Sequence, residues 1–150
     1  MTDASDRFDV VIVGAGMVGA AFACACQGLG LSIALVEPRP PQRQWPEGEV
    51  DLRVSALSRA SQRILSRLGV WGRIANRGAS PYREMHVWEG LGHGSIHFDS
   101  AALGEPDLGH IVENRVTQLA LWERLEQAGE VTLICPATSV DLTLATDATL

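Results

Sequence analysis

The chain is poor in whatever would set it apart from an ordinary globular protein. Its three cysteines are irregularly spaced and make no disulfide framework, so a reducing cytoplasm is the default compartment. Cys24 and Cys26 lie two apart in a stretch that reads as helix, about 200° around its axis, so they do not share a metal and read as small buried hydrophobes. The four histidines (His86, His93, His97, His110) show no ligand-like clustering with cysteine or acid, and no metal is assigned. Basic charge is not in excess: 12 Lys+Arg stand against 18 Asp+Glu, a net charge of -6 that gives no electrostatic reason for nucleic-acid binding. No basic start and small-residue cleavage site mark a signal peptide, and there is no internal repeat or low-complexity tract. What remains is 150 residues, 46% hydrophobic and 20% charged, the size and make-up of one domain able to bury a real core.

One stretch tests that reading. From Val10 the sequence VVIVGAGMVGAAFACACQGLGLSIALVE carries no charge until Glu37, and about 20 apolar residues suffice for a membrane span. Five glycines (Gly14, Gly16, Gly19, Gly28, Gly30) and an acidic-leaning flank, MTDASDRFD, argue against one. The pattern also changes along the run. Phe8 to Val13 is a short β-branched segment that suits a buried parallel strand. Small residues from Ala20 to Cys26 suit a helix packed tightly on a sheet. Ser32 to Val36 reads as a second buried strand, stopped by Pro38. The spacing predicts a β-α-β unit over residues 8–37 and an α/β fold with a parallel central sheet.

The loop Gly14, Ala15, Gly16, Met17, Val18, Gly19 is a GxGxxG sequence between the first strand and the helix. Gly14 allows the tight turn, Gly16 lets the backbone approach a pyrophosphate, and Gly19 lets the helix approach the strand. The helix N-terminus presents free N–H groups and the positive end of its dipole to phosphates. Glu37 follows about 20 residues on, at the tip of the second strand, where a carboxylate accepts hydrogen bonds from ribose hydroxyls and repels a 2′-phosphate. The expected function of this unit is dinucleotide binding. The loop alone does not separate NAD from FAD, and an NAD-dependent dehydrogenase domain or a non-catalytic nucleotide-binding fragment stays open.

Beyond it, residues 38–54 read as an irregular, proline-rich loop. A helix is expected over about 55–68, with Ser55 as N-cap and Leu57, Ile64, Leu65 and Leu68 on one face. Arg59, Arg63 and Arg67 repeat every four residues on another face and read as solvated. Short antiparallel strands are expected over about 84–98, a helix over about 114–128 and a strand over about 131–135 that adds to the parallel sheet. Val140 to Leu144 reads as the start of another strand.

The order of GxGxxG, terminal Glu, DLRVSALSRASQRILSRLGVW, PYREMHVWE and GHIVENRVTQLALWERL resembles the ubiquinone-biosynthesis hydroxylases. These are FAD-dependent aromatic monooxygenases related to para-hydroxybenzoate hydroxylase, and the resemblance covers nearly the whole chain. It implies a Rossmann-like FAD-binding domain, with FAD at the loop Gly14–Gly19 and the adenosine ribose at Glu37 and its neighbour Pro38. Arg53 matches an arginine near the flavin and its phosphates, and Glu113, Asn114 and Arg115 match a region near the ribityl chain. Family members run to about twice this length or more and carry an internal DG pair and a late GD segment, both absent here. The chain is therefore expected to be an N-terminal part, ending before the substrate-binding sheet domain is complete, and to bind FAD weakly at most by itself. For the complete enzyme the resemblance implies NAD(P)H as electron donor and transfer of one oxygen atom from O₂ to the ring of a polyprenylated phenol or benzoquinol. No side chain is assigned a catalytic role, since the cofactor carries the hard step. The prenyl tail implies peripheral contact with the inner face of the membrane or with a biosynthetic complex, although no segment reads as an anchor.

Overall fold

In the computed structural model, which describes residues 7–137 together with 141 and 143, the uncharged run divides into three elements. Strand β1 (Val10–Val13) leads into helix α1 (Met17–Ala25), which crosses to strand β2 (Ile33–Val36), parallel to β1. Valine and isoleucine stiffen the strands, while the alanines of α1 let it lie close on the sheet, with Ala20 and Ala23 fully buried. Nine residues of helix are far too few for a span. Among the described residues no helix is long and apolar enough to cross a membrane.

The remaining elements follow in chain order: β3 (Val54–Ser58), α2 (Arg59–Arg67), α3 (Trp71–Gly78), β4 (Ser80–Tyr82), β5 (Glu84–Trp88), β6 (Ser95–Asp99), a 3-10 turn (Ala101–Leu103), β7 (Gly109–Glu113), α4 (Asn114–Ala128) and β8 (Val131–Ile134). The parallel sheet has the order β1-β2-β8, with Ile33 opposite Val131. An antiparallel sheet has the order β3-β7-β4, and β5 and β6 form a separate hairpin. The strand expected to start at Val140 falls, apart from residues 141 and 143, outside the described residues.

One expected element is corrected. The helix does not start at Ser55: residues 54–58 form β3, and α2 begins at Arg59. Ser58 is the cap, in extended conformation, its side chain accepting from the Ser61 N–H. Pairing with β7 outweighs the local helical pattern, because each residue from Val54 to Ser58 gains a partner across the ladder. Arg59 is corrected too. It is not a solvated member of a stripe but bridges Glu105 at 2.9 Å and Asp107 at 3.1 Å, fastening the turn before β7 to the start of α2. Arg63 and Arg67 remain exposed.

The core lies between the parallel sheet and the helices. Ile12, Ile33 and Leu35 of the sheet belong to one buried cluster with Ala23 of α1, Leu65 of α2 and Ile74 of α3. Helix α4 runs through the middle, burying Val116, Leu119, Ala120, Leu121, Trp122 and Leu125 on most of its circumference. Burial shows in the chemistry of Cys24, whose thiol donates to the Leu121 carbonyl at 3.8 Å. Desolvation pushes its pKa up to about 11, against a smaller opposing pull from Arg124. The unfolded thiol ionises nearer 9.0, so above that pH the unfolded state loses a proton that the folded state keeps. The stability tied to this thiol is therefore complete below pH 9 and is lost as pH rises towards 11. Denaturant midpoints measured between pH 8 and 11 should fall more steeply for the natural chain than for Cys24→Ala.

Candidate functional site

At the end of β1 the chain reverses at Gly14, whose φ of +98° a side chain would strain. Its N–H bonds the Val36 carbonyl at 2.8 Å, tying the turn to β2. Gly19, one turn into α1, lies so close to this turn that a Cβ would stand 2.0 Å from the Gly14 carbonyl oxygen. Gly16 differs from both. A Cβ there would meet nothing within 4 Å, so no contact inside the protein accounts for its missing side chain. It borders open space at the N-terminus of α1. The cap has no side-chain hydrogen bond and the first turn carries no acid. The first N–H bonded onto this end is that of Ala20, on the Gly16 carbonyl at 2.9 Å. The N–H groups before it, with the helix dipole behind them, suit an anion.

Glu37 stands one residue past β2, and its carboxylate reaches this loop: Oε2 accepts the Ala15 N–H at 2.7 Å. Oε1 has only a long contact of 3.4 Å with the Arg39 N–H, leaving lone pairs for hydroxyl donors. Pro38 follows on the surface. From the other side, the Gln118 side-chain amide in α4 donates to the Ala15 carbonyl at 3.0 Å. Ala15 is thus held at both its polar groups. The open face at Gly16, the free N–H groups and a half-used carboxylate together fit a dinucleotide with an unphosphorylated ribose.

The other expected residues gather one turn away, where β3, β7 and α4 meet. Arg53 is pinned through its backbone: its N–H donates to Asp51 Oδ1 at 3.0 Å and its carbonyl accepts the Asn114 N–H at 2.9 Å. Asn114 Oδ1 accepts the Ser55 hydroxyl at 2.6 Å. Glu113 precedes α4 but does not cap it with its side chain; its Oε2 accepts from the Asp51 N–H at 2.9 Å and from Arg115 Nε at 2.7 Å. Arg115 also donates to Glu49 Oε1 at 2.8 Å and the Glu49 carbonyl at 2.7 Å, and lies 4.4 Å over the Trp45 ring. Burial alone would lower the Arg115 pKa, but its bonds to Glu49 and Glu113 hold it above the ordinary arginine value.

Sequence reasoning did not single out Trp45, Glu49, Asp51 or Gln118, and it named Ser55 only as a helix cap, not as the partner of Asn114. All five act through partners distant in the chain, and none belongs to a spaced motif. The first two turns of α4 join the two groups, with Asn114 and Arg115 on the Arg53 side and Gln118 on the glycine loop.

Comparison with known proteins accords with this geometry. A family model described as FAD binding domain matches residues 7–150. The 3-demethoxyubiquinol 3-hydroxylase of Escherichia coli is 38% identical over 134 residues, which is 89% of this chain and 34% of that protein. Ubiquinone hydroxylase UbiL of Rhodospirillum rubrum is 33% identical over 138 residues, 91% of this chain and 32% of that protein. The chain thus spans about a third of the length of the curated relatives it matches. Among solved structures, PqsL of Pseudomonas aeruginosa, described as a probable FAD-dependent monooxygenase, superposes with a TM-score of 0.60 at 19% identity, covering 86% of this chain and 33% of that one. At that identity the likeness speaks for the fold.

Proposed function

The chain belongs to the FAD binding domain family, and from that premise we propose that it supplies the cofactor cradle of a flavin-dependent monooxygenase acting in ubiquinone biosynthesis. The substrate is a polyprenylated phenol or benzoquinol, and the reaction adds one hydroxyl to its ring. The observation that carries the reading is the glycine turn whose open member, Gly16, lies beside a carboxylate anchored to the same loop. The names of the relatives supply the substrate class.

Bound FAD, with NAD(P)H as reductant and O₂ as oxidant, would supply the oxygen-transfer chemistry. The chain's own residues bind and orient. In the loop Gly14, Ala15, Gly16, Met17, Val18 and Gly19, the N–H groups that follow Ala15 serve the pyrophosphate, and Gly16 leaves its approach clear of a side chain. Gly14 and Ala15 commit their own N–H groups to Val36 and Glu37 and so hold the turn. Glu37 accepts from the adenosine ribose through the oxygen not committed to Ala15, and its charge excludes a 2′-phosphate. Pro38 ends the strand there and fixes the backbone beyond the ribose. Arg53 offers a guanidinium to the phosphates and the flavin. Asn114 and Glu113 hold the backbone beside it. The prenyl tail of the substrate brings the working enzyme to the membrane surface as a peripheral protein.

The test is retention of cofactor by the complete polypeptide. Purified protein is mixed with FAD or with NAD, desalted, and its bound nucleotide identified. Stoichiometric FAD with no NAD is the expected result, and Glu37→Ala should weaken FAD by about tenfold or more, the loss of a charged hydrogen-bond acceptor. NAD retained in place of FAD would overturn the reading in favour of a dehydrogenase. The hydroxylation itself is read by mass, as one oxygen atom added to a prenylated phenol when NAD(P)H and air are present.

A further inference from the structure

Arg115 is a strange choice for a group that meets a ligand. Each of its three guanidinium nitrogens already faces an acceptor, Glu113 Oε2, Glu49 Oε1 and the Glu49 carbonyl. Its guanidinium carbon lies 4.4 Å over the Trp45 ring, and the side chain is only 9% exposed. Arg53 is the opposite case. Its guanidinium makes no hydrogen bond or ion pair among the described residues and is exposed, yet its own backbone is bonded at both N–H and carbonyl.

A continuous path joins the two. Arg115 binds Glu113, whose same oxygen receives the Asp51 N–H, and Asp51 in turn receives the Arg53 N–H. The residue next to Arg115, Asn114, donates its N–H to the Arg53 carbonyl. Arg115 also grips Glu49, four residues upstream of Arg53, by side chain and backbone together. The segment from Glu49 to Arg53 has no regular structure, so its course depends on these bonds.

On the footing of the FAD reading above, we propose that Arg115 is a positioning residue: it clamps the segment Glu49–Arg53 onto the first turn of α4 and so aims the free Arg53 guanidinium at the cofactor's phosphates. The planar fork is needed because it must hold Glu49 and Glu113 at once while staying over the Trp45 ring. A lysine ammonium, a single point charge, does not reproduce that geometry. Arg115 itself does not touch the ligand.

The role is tested by a double-mutant cycle on FAD affinity, measured by flavin fluorescence in the full-length protein. Arg53→Gln should weaken FAD by about tenfold, the loss of a charge-assisted contact. Arg115→Gln should weaken it by a similar factor, Arg115→Lys should recover little of the loss, and the double variant should bind no worse than either single one. A purely structural arginine would instead give losses that multiply. Should Arg115→Gln fail to fold, Glu49→Gln serves, because Glu49 lies on the surface loop. It should cost a few-fold in affinity in the natural background and nothing in the Arg53→Gln background. Multiplying losses, or full affinity in Arg115→Gln or Arg53→Gln, would overturn the positioning role while leaving the FAD reading intact. A natural protein that retains no FAD would overturn both.

Discussion

Gly19→Ala is expected to lower the unfolding free energy by roughly 3 kcal/mol, and a melting curve of this domain should shift down by roughly 10 °C. The added Cβ would sit 2.0 Å from the Gly14 carbonyl oxygen, 3.2 Å from its carbonyl carbon and 3.3 Å from the Ile12 side chain. Two of these three neighbours are backbone atoms of the turn, and the turn is tied to β2 through Gly14. Nothing flexible stands there to yield. Relief requires α1 to lift off β1, which opens the packing of Ala20 and Ala23, both fully buried. A variant that melts with the natural protein would mean that α1 does not approach the sheet this closely.

Gly16→Val should do the reverse, abolishing FAD binding while leaving the fold alone. The backbone at Gly16 has φ -65°, a value open to any residue, and a Cβ there meets nothing within 4 Å. The melting temperature should therefore stay within a degree or two, since surface substitutions away from special features change stability by at most about 0.5 kcal/mol. The branched side chain would stand where the pyrophosphate approaches. A loss of at least about a hundredfold in FAD affinity follows, equivalent to about 2.7 kcal/mol. Fluorescence titration of flavin reads the loss, and far-ultraviolet circular dichroism checks the fold. Undiminished affinity would show that the phosphates lie elsewhere. The two variants differ by three positions in one motif, and their opposite signatures separate a glycine kept for packing from one kept for the ligand.

The legible part of the molecule is the part encoded locally. Residues 8–37 announce β1, α1 and β2 because strand, turn, helix and strand follow without interruption and each glycine of the loop has its own geometric task. Glu37 could be named because its place at the tip of β2 follows from that unit. Val54–Ser58 was less legible: the serines and the Leu57, Ile64, Leu65 spacing favour a helix, and only the antiparallel partner Gly109–Glu113 decides for a strand. Helix α3 lacks a capping side chain at Val70 and carries glycine near its start, so it shows no start signal. The Arg115 clamp is invisible for another reason. Glu49 lies 66 positions from it in the chain, and no spacing rule links them.

The order β1-β2-β8 bears on how the molecule comes into being. β2 is the central strand, yet one of its neighbours is the last strand of the described chain, Ile33 lying opposite Val131. At about 5–20 residues per second the ribosome needs roughly 5–20 s to deliver the intervening stretch. Until then β2 has one bare edge, and α1 lacks the helix α4 that covers it. The nascent cradle is therefore a half-built sheet for many times longer than a helix or hairpin takes to form. Its apolar strands spend that interval exposed to whatever edge, foreign or their own, arrives first.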